Sequence, residues 1–163
     1  VAEMKGEVVP SPVPELKLDV PSNAFLPGDY VVKEESRLDA YRRLADVTSS
    51  ADVADIRAEW LDRYGPLPEP ALALIGVGQL RAECHRVGLT ELVVADGRAR
   101  MTPVVLKASQ TMRLKRIAQH PDWNEKLGLL TITLPRTSTG KLIEHEVVPY
   151  LINFLQQLFE PAN

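Results

Sequence analysis

Four carboxylates are the residues in this sequence best placed to carry chemistry or bind a charged partner. They recur at i, i+3, i+7 and i+10, at Asp52, Asp55, Glu59 and Asp62. On a helix this spacing brings all four side chains within about 80° of one another. We call them the acidic stripe. Glu59 and Asp62 are the pair that could serve as general acid and base, because such catalysis needs two carboxyl groups close together.

Acid-base catalysis requires that the pKa values of the two carboxyl groups be driven apart. The sequence predicts an exposed helix face with no aromatic pocket around Glu59 and Asp62, so burial cannot separate them. Two interpretations of the acidic stripe then remain open. It is a solvated face, in which the helix dipole favours Asp52 and Asp55 in the first turn. Alternatively it is a docking surface for a basic partner, which would account for Glu59 and Asp62 near the C-terminal end.

The segment Thr139-Gly140-Lys141 superficially resembles a phosphate-binding loop. That motif needs a glycine five positions before Gly140 and a serine or threonine after Lys141. Pro135 and Leu142 occupy those positions. We therefore predict a plain turn before the last helix.

The histidines and the single cysteine do not form a predicted site. His85, His120 and His145 are far apart in sequence, and none has a neighbour at metal-ligand spacing. Cys84 and His85 are adjacent, so on a helix they point about 100° apart and cannot act as nucleophile and base. We predict a buried structural thiol at Cys84, a reducing compartment and no cofactor.

One cationic neighbourhood follows the central hairpin, with Lys107, Arg113, Lys115 and Arg116 on a predicted helix. It lacks interleaved aromatic residues that would stack on bases. The net charge of −3 also argues against strong nucleic-acid binding. We expect a solvated helix face, with a weak nucleic-acid or partner contact as the alternative.

Composition predicts one domain. The 163 residues are 45% apolar, which suffices for one well-cored unit. No apolar run approaches the length of about 20 residues that crosses a bilayer, so we predict a cytoplasmic protein without membrane contact. Residues 1–14 contain Pro10, Pro12 and Pro14, and are predicted to be an extended tether. Residues 15–163 are then the domain.

Periodicity and turn residues predict an α+β fold, a small, mainly antiparallel sheet covered by about five helices. The predicted helices are Glu34–Asp46, Val53–Tyr64, Pro70–Val87, Leu106–Gln119 and a last helix from about Ile143 or Glu146 to Phe159. The predicted strands are Leu16–Val20, Leu89–Ala95, Arg98–Val104 and Leu129–Leu134. Asp96-Gly97 should form a tight hairpin turn. Leu38, Ala45, Leu61 and Leu72 are among the residues predicted to face the core.

Two stretches of the sequence resemble those of a known family. They are Arg37-Leu38-Asp39-Ala40-Tyr41-Arg42-Arg43-Leu44-Ala45 and Glu59-Trp60-Leu61-Asp62-Arg63-Tyr64-Gly65-Pro66-Leu67-Pro68. Together with their spacing, they resemble the C-terminal domain of bacterial transcription-repair coupling factor (Mfd). The similarity extends over roughly residues 3–95. The family usually has Phe where Tyr64 stands, a conservative departure.

The resemblance implies a regulatory domain without catalysis of its own. In that family the parent protein is an ATP-dependent DNA translocase that removes stalled RNA polymerase, and the resemblance implies that residues 1–14 are the linker from its preceding motor region. Its terminal domain docks on a UvrB-like module of the same chain and masks the surface that recruits UvrA. Glu59 and Asp62 match the family's Glu-x-x-Asp-Arg motif, so they become the expected partner-binding residues, with Asp55 and Asp52 beside them. The resemblance leaves self-association open, and a nucleic-acid-binding appendage of a DNA-repair protein is the alternative function.

Overall fold

A computed structural model of the chain describes residues 15–160 and shows an α+β fold, as predicted. The predicted linker, residues 1–14, lies outside the described residues. The strands are β1 (Lys17–Asp19), β2 (Glu91–Ala95), β3 (Arg98–Thr102), β4 (Asp122–Asn124) and β5 (Leu129–Thr133). The helices are α1 (Glu34–Ala45), α2 (Ser50–Tyr64), α3 (Glu69–Val87), α4 (Ala108–Ile117) and α5 (Glu144–Leu158).

The five strands form one sheet in the order β1-β2-β3-β5-β4. Only β1 and β2 pair in parallel, so the sheet is mainly antiparallel, as predicted. The hairpin between β2 and β3 turns at Asp96 and Gly97, whose φ angles are 54° and 73°. Positive φ at both turn residues matches the right-handed twist of the flanking strands, which is why an Asp-Gly pair specifies this hairpin.

The prediction of four strands was wrong, because β4 forms a fifth. Its three residues are too few to show an alternating pattern, and a neighbouring strand supplies its backbone partners. Trp123 pairs with Leu130 across the ladder, and its indole nitrogen donates a hydrogen bond of 3.0 Å to the Val104 carbonyl. This contact fixes the edge strand to the end of the hairpin.

Helix α3 separates two apolar cores and contributes to both. On one side Leu80 and Cys84 join the sheet and α5 in the larger core. On the other side Ile75 and Ala82 join α1 and α2 in the smaller core, which contains Trp60. A helix that is apolar on two sides in this way is buried along most of its length, and it connects the acidic helix α2 to the sheet.

One charged residue is buried in α3. Glu83 is only 3% exposed and accepts hydrogen bonds from Arg86 at 2.8 Å and from Gln79 at 3.0 Å. Arg86 also donates to the carbonyl of Phe159 at the end of α5, and Gln156 of α5 lies 3.4 Å from the Glu83 carboxylate. A buried carboxylate is tolerated only when it is paired and hydrogen-bonded, and here the pairing joins α3 to α5.

Four residues predicted to face the core are exposed instead: Leu38, Ala45, Leu61 and Leu72. The reason for Leu61 is angular, because it follows Trp60 by about 100° around α2 and Trp60 occupies the centre of the buried face. Leu38 and Ala45 likewise lie at the edges of the apolar arc of α1, whose centre is Ala40 and Leu44. Leu72 faces an open groove beside α3.

Gly65 ends α2 in a backbone conformation that is essentially restricted to glycine. Its φ and ψ are 88° and −167°, and its carbonyl accepts a hydrogen bond of 2.9 Å from the Tyr30 hydroxyl. We expect Gly65→Val to lower the free energy of unfolding by about 1–3 kcal/mol, from backbone strain alone. A Cβ added at this position would have no neighbouring heavy atom within 4 Å.

The stability of this variant can be measured by urea denaturation followed by circular dichroism. Gly28→Val is the matched control, since Gly28 has no positive φ and a Cβ there would lie 3.9 Å from Arg37. Equal stabilities of the two variants would show that the turn after α2 imposes no special backbone requirement.

Candidate functional site

The acidic stripe begins at Asp52, in the first turn of α2. The Ser49 side chain accepts a hydrogen bond from the Asp52 amide at 3.2 Å, so Ser49 caps α2. The Asp52 carboxylate in turn accepts a bond of 3.1 Å from the Thr48 amide. This backbone hydrogen bond is the main reason that the pKa of Asp52 is lowered. Asp52 therefore stabilises the start of α2.

Glu59 is held between two arginines and is half-exposed. Its carboxylate forms an ion pair with Arg43 of α1, and Arg63, one turn along α2, lies 3.7 Å away. The Arg63 guanidinium also lies 5.1 Å from the centre of the Tyr64 ring. These contacts fix the orientation of the Glu59 side chain and join α1 to α2.

Among the three arginines of α1, only Arg43 pairs with an acid of the neighbouring helix α2 within the described residues. Arg37 instead donates hydrogen bonds to the carbonyls of Val31 and Val32, which precede α1. Arg42 lies 4.0 Å from Asp39 within its own helix.

Asp55 and Asp62 have a different environment from the other two acids. Both are exposed, and within residues 15–160 neither forms an ion pair or a side-chain hydrogen bond. They are seven residues apart on α2 and so lie on nearly the same line along the helix. Leu61 is 53% exposed and directly precedes Asp62. The outward face of α2 thus combines two unpaired carboxylates, one oriented carboxylate and an exposed leucine.

A groove of about 450 Å³ lies between α1 and α2, beside Glu59. Leu38, Asp39, Arg42 and Arg43 line it from α1, and Glu59, Trp60, Arg63 and Tyr64 line it from α2. Charges of both signs are therefore close together here. Arginines, and not an apolar pocket, surround Glu59, so the arrangement resembles a polar contact surface more than an acid-base pair.

The cationic neighbourhood on α4 is partly used within the fold. Arg113 donates hydrogen bonds of 3.2 Å and 3.3 Å to the carbonyls of Gln157 and Leu158, and lies 3.6 Å from Glu160. It therefore satisfies the open carbonyl groups at the end of α5. Lys107, Lys115 and Arg116 remain exposed. Three exposed cations form a small footprint for nucleic acid.

The other sequence features have structural roles. Cys84 is fully buried, and burial raises the pKa of its thiol to about 12. Gly140 has a φ of 85° in a turn closed by a 2.7 Å hydrogen bond from the Thr137 amide to the Lys141 carbonyl, which confirms the predicted turn.

In the described part of the chain, no three His, Cys, Asp or Glu side chains cluster as metal ligands. Nor does any helix there have the length and apolar character needed to cross a membrane.

Comparison with known proteins places these features in a family. The family model described as the TRCF domain matches residues 20–120. This match continues beyond residue 95, where the resemblance read from the sequence became faint.

Several relatives carry the name transcription-repair-coupling factor. The one from Mycobacterium tuberculosis (strain CDC 1551 / Oshkosh) is 37% identical over 123 residues, which cover 75% of this chain and 10% of the relative. The one from Myxococcus xanthus is 38% identical over 106 residues, covering 60% of this chain and 9% of the relative. The chain therefore spans only about a tenth of the length of these relatives.

A solved structure shares the fold. It is described as the crystal structure of the C-terminal domain of transcription-repair coupling factor, and it aligns with a TM-score of 0.71 at 16% identity. The alignment covers 90% of this chain and 92% of that structure, so the common fold includes the elements after residue 120. The chain belongs to the TRCF domain family, the C-terminal domain of transcription-repair coupling factor (Mfd).

Proposed function

We propose that this chain is a docking and autoinhibitory domain without catalysis of its own. It folds back on a UvrB-like module of its parent chain and masks the surface that recruits UvrA. The parent acts as an ATP-dependent DNA translocase that removes stalled RNA polymerase in the bacterial cytoplasm. The observation that carries the proposal is the outward face of α2, where Asp55 and Asp62 are exposed beside the oriented carboxylate of Glu59.

The chemistry of that face favours a basic partner. Asp55 and Asp62 have no internal cation among the described residues, so an arginine from a partner would gain an attraction that the isolated domain leaves unused. Contacts between domains of one chain are typically polar and moderate in area, so a few charge pairs can determine whether the domain is docked.

Glu59 contributes through its fixed orientation. Arg43 and Arg63 reduce the freedom of its side chain before any partner arrives, so less conformational entropy is lost on docking. The same arginines also compete with a partner's cation for the Glu59 carboxylate. Asp62 forms no ion pair within the described residues, so its substitution breaks no internal contact. Of the two acids of the Glu-x-x-Asp-Arg motif, Asp62 is therefore the one whose substitution should affect only the contact with the partner.

The proposal can be tested by adding this domain in trans to its parent chain lacking the domain. We expect saturable binding that weakens as salt rises, because exposed charge pairs are screened. Asp62→Ala should weaken binding by about five- to tenfold, since the loss of one charge pair is of the order of 1 kcal/mol.

Asp122→Ala is the matched control, because it removes one exposed carboxylate from β4, outside α2. Its affinity should equal that of the unmodified domain. Absence of binding, or equal losses for Asp62→Ala and Asp122→Ala, would count against docking through the acidic stripe.

A further inference from the structure

A second groove lies on another part of the domain, between α3, α5 and the segment that follows β1. Its volume is about 810 Å³, within the range of roughly 300–1,000 Å³ that is usual for binding sites. Phe25 lines it from the segment after β1, and the Phe25 amide donates a hydrogen bond of 3.2 Å to the Pro70 carbonyl at the start of α3. This hydrogen bond fixes the wall of the groove that contains Phe25 to the start of α3.

The interior of this groove is apolar and partly open to solvent. Leu72 and Phe25 are 42% and 48% exposed, and Val148 and Ile152 of α5 line the opposite side. Gly76 contributes no side chain to the floor, although a Cβ there would lie at an ordinary distance of 3.6 Å from Val148. Large apolar side chains that line a concave site are typical anchor points for a binding partner.

The charges around the groove indicate which partner it fits. Its charged lining groups are Glu69, the first residue of α3, and Glu144, the first residue of α5, with His145 beside Glu144. No lysine or arginine lines it within the described residues. Each helix N-terminus already has its own carboxylate, so an anionic ligand would be repelled. A cation could instead lie close to either glutamate.

We propose that the groove between α3 and α5 binds a peptide segment that carries aliphatic side chains and at least one lysine or arginine. The aliphatic side chains would contact Phe25, Leu72 and Ile152, and the cation would approach Glu69 or Glu144. This is the mode in which an amphipathic helix lies in an apolar groove. The groove shares no lining residue with the groove between α1 and α2, so the two sites can be disabled separately.

The test uses a short fluorescent amphipathic peptide composed of leucine, alanine and lysine, titrated into the whole chain. A second peptide, in which glutamate replaces every lysine, measures the contribution of charge. We expect the lysine peptide to bind at least about tenfold more tightly than the glutamate peptide. Amide chemical-shift changes should map to α3 and α5.

Two variants assign the binding to this groove. Leu72→Gln should weaken binding of the lysine peptide at least about tenfold, because Leu72 is an apolar anchor that is already exposed and its replacement leaves the core intact. Replacing both Glu69 and Glu144 with glutamine should remove the preference for the lysine peptide. The control is Glu34→Gln with Glu35→Gln, which makes the same charge change in the first turn of α1.

Three results of the peptide titrations would overturn the proposal. They are the absence of saturable binding by the lysine peptide, equal losses in the charge variant and its control, and shift changes that map to α1 and α2. Concentration-dependent self-association that Leu72→Gln abolishes would also overturn it, because the occupant would then be a second copy of this chain.

Discussion

Trp60→Ala should lower the free energy of unfolding by about 3–5 kcal/mol, the largest stability loss that we expect from one substitution. Trp60 is 1% exposed and lies in the smaller core with Val53 and Ile56 of the same helix. Truncation removes the transfer free energy of the ring and leaves a cavity that rigid neighbours cannot fill. The smaller core joins α1 and α2 to α3, so its loss should loosen the helix that carries the acidic stripe.

Denaturation followed by circular dichroism measures this loss without depending on tryptophan fluorescence. Leu61→Ala is the matched control, because Leu61 is the adjacent residue on α2 and is 53% exposed. Its effect should stay within about 0.5 kcal/mol. Comparable losses for the two variants would mean that α2 is rotated relative to the buried face described above.

Much of the fold could be predicted from local sequence signals. Gly88 with its left-handed backbone, the Asp96-Gly97 turn and the Ser49 cap each act within a few residues, so the sequence alone indicates where α3 ends, where the hairpin turns and where α2 begins. The strand β4 could not be predicted, because three residues carry no periodicity and the strand exists only through its pairing with β5.

The candidate site was less predictable, because its properties depend on contacts between distant residues. Spacing placed Asp55 and Asp62 on one face, but could not show that Arg43 pairs with Glu59 across sixteen positions of the chain. The buried carboxylate of Glu83 was missed for the same reason, since its partners include a residue of α5. The groove between α3 and α5 likewise requires three separated segments to meet.

The second large effect concerns the balance between docked and open forms of the parent protein. If the docked form dominates by about a hundred to one, only about 1% of molecules expose the UvrA surface at any time. The apparent affinity for UvrA is then about a hundredfold weaker than that of an open chain, which corresponds to roughly 2.7 kcal/mol. Removing the contacts of Glu59 and Asp62 should shift the population towards the open form.

The domain itself should tolerate this change. Asp62 is exposed and has no ion pair within the described residues. The ion pairs of Glu59 with Arg43 and Arg63 are partly exposed, and such pairs typically contribute about 0–1 kcal/mol. A gain in UvrA binding would therefore report on docking, and not on unfolding of the domain.

The most direct measurement is the affinity of UvrA for the parent protein carrying both Glu59→Ala and Asp62→Ala. It is compared with the unmodified parent, with a chain lacking this domain, and with a control carrying Asp122→Ala and Glu125→Ala, which removes the same charge elsewhere. We predict that the double variant binds UvrA about as tightly as the chain without the domain, up to about a hundredfold tighter than the parent and the control. A double variant that stays folded and binds UvrA no better than the parent would contradict docking through the acidic stripe.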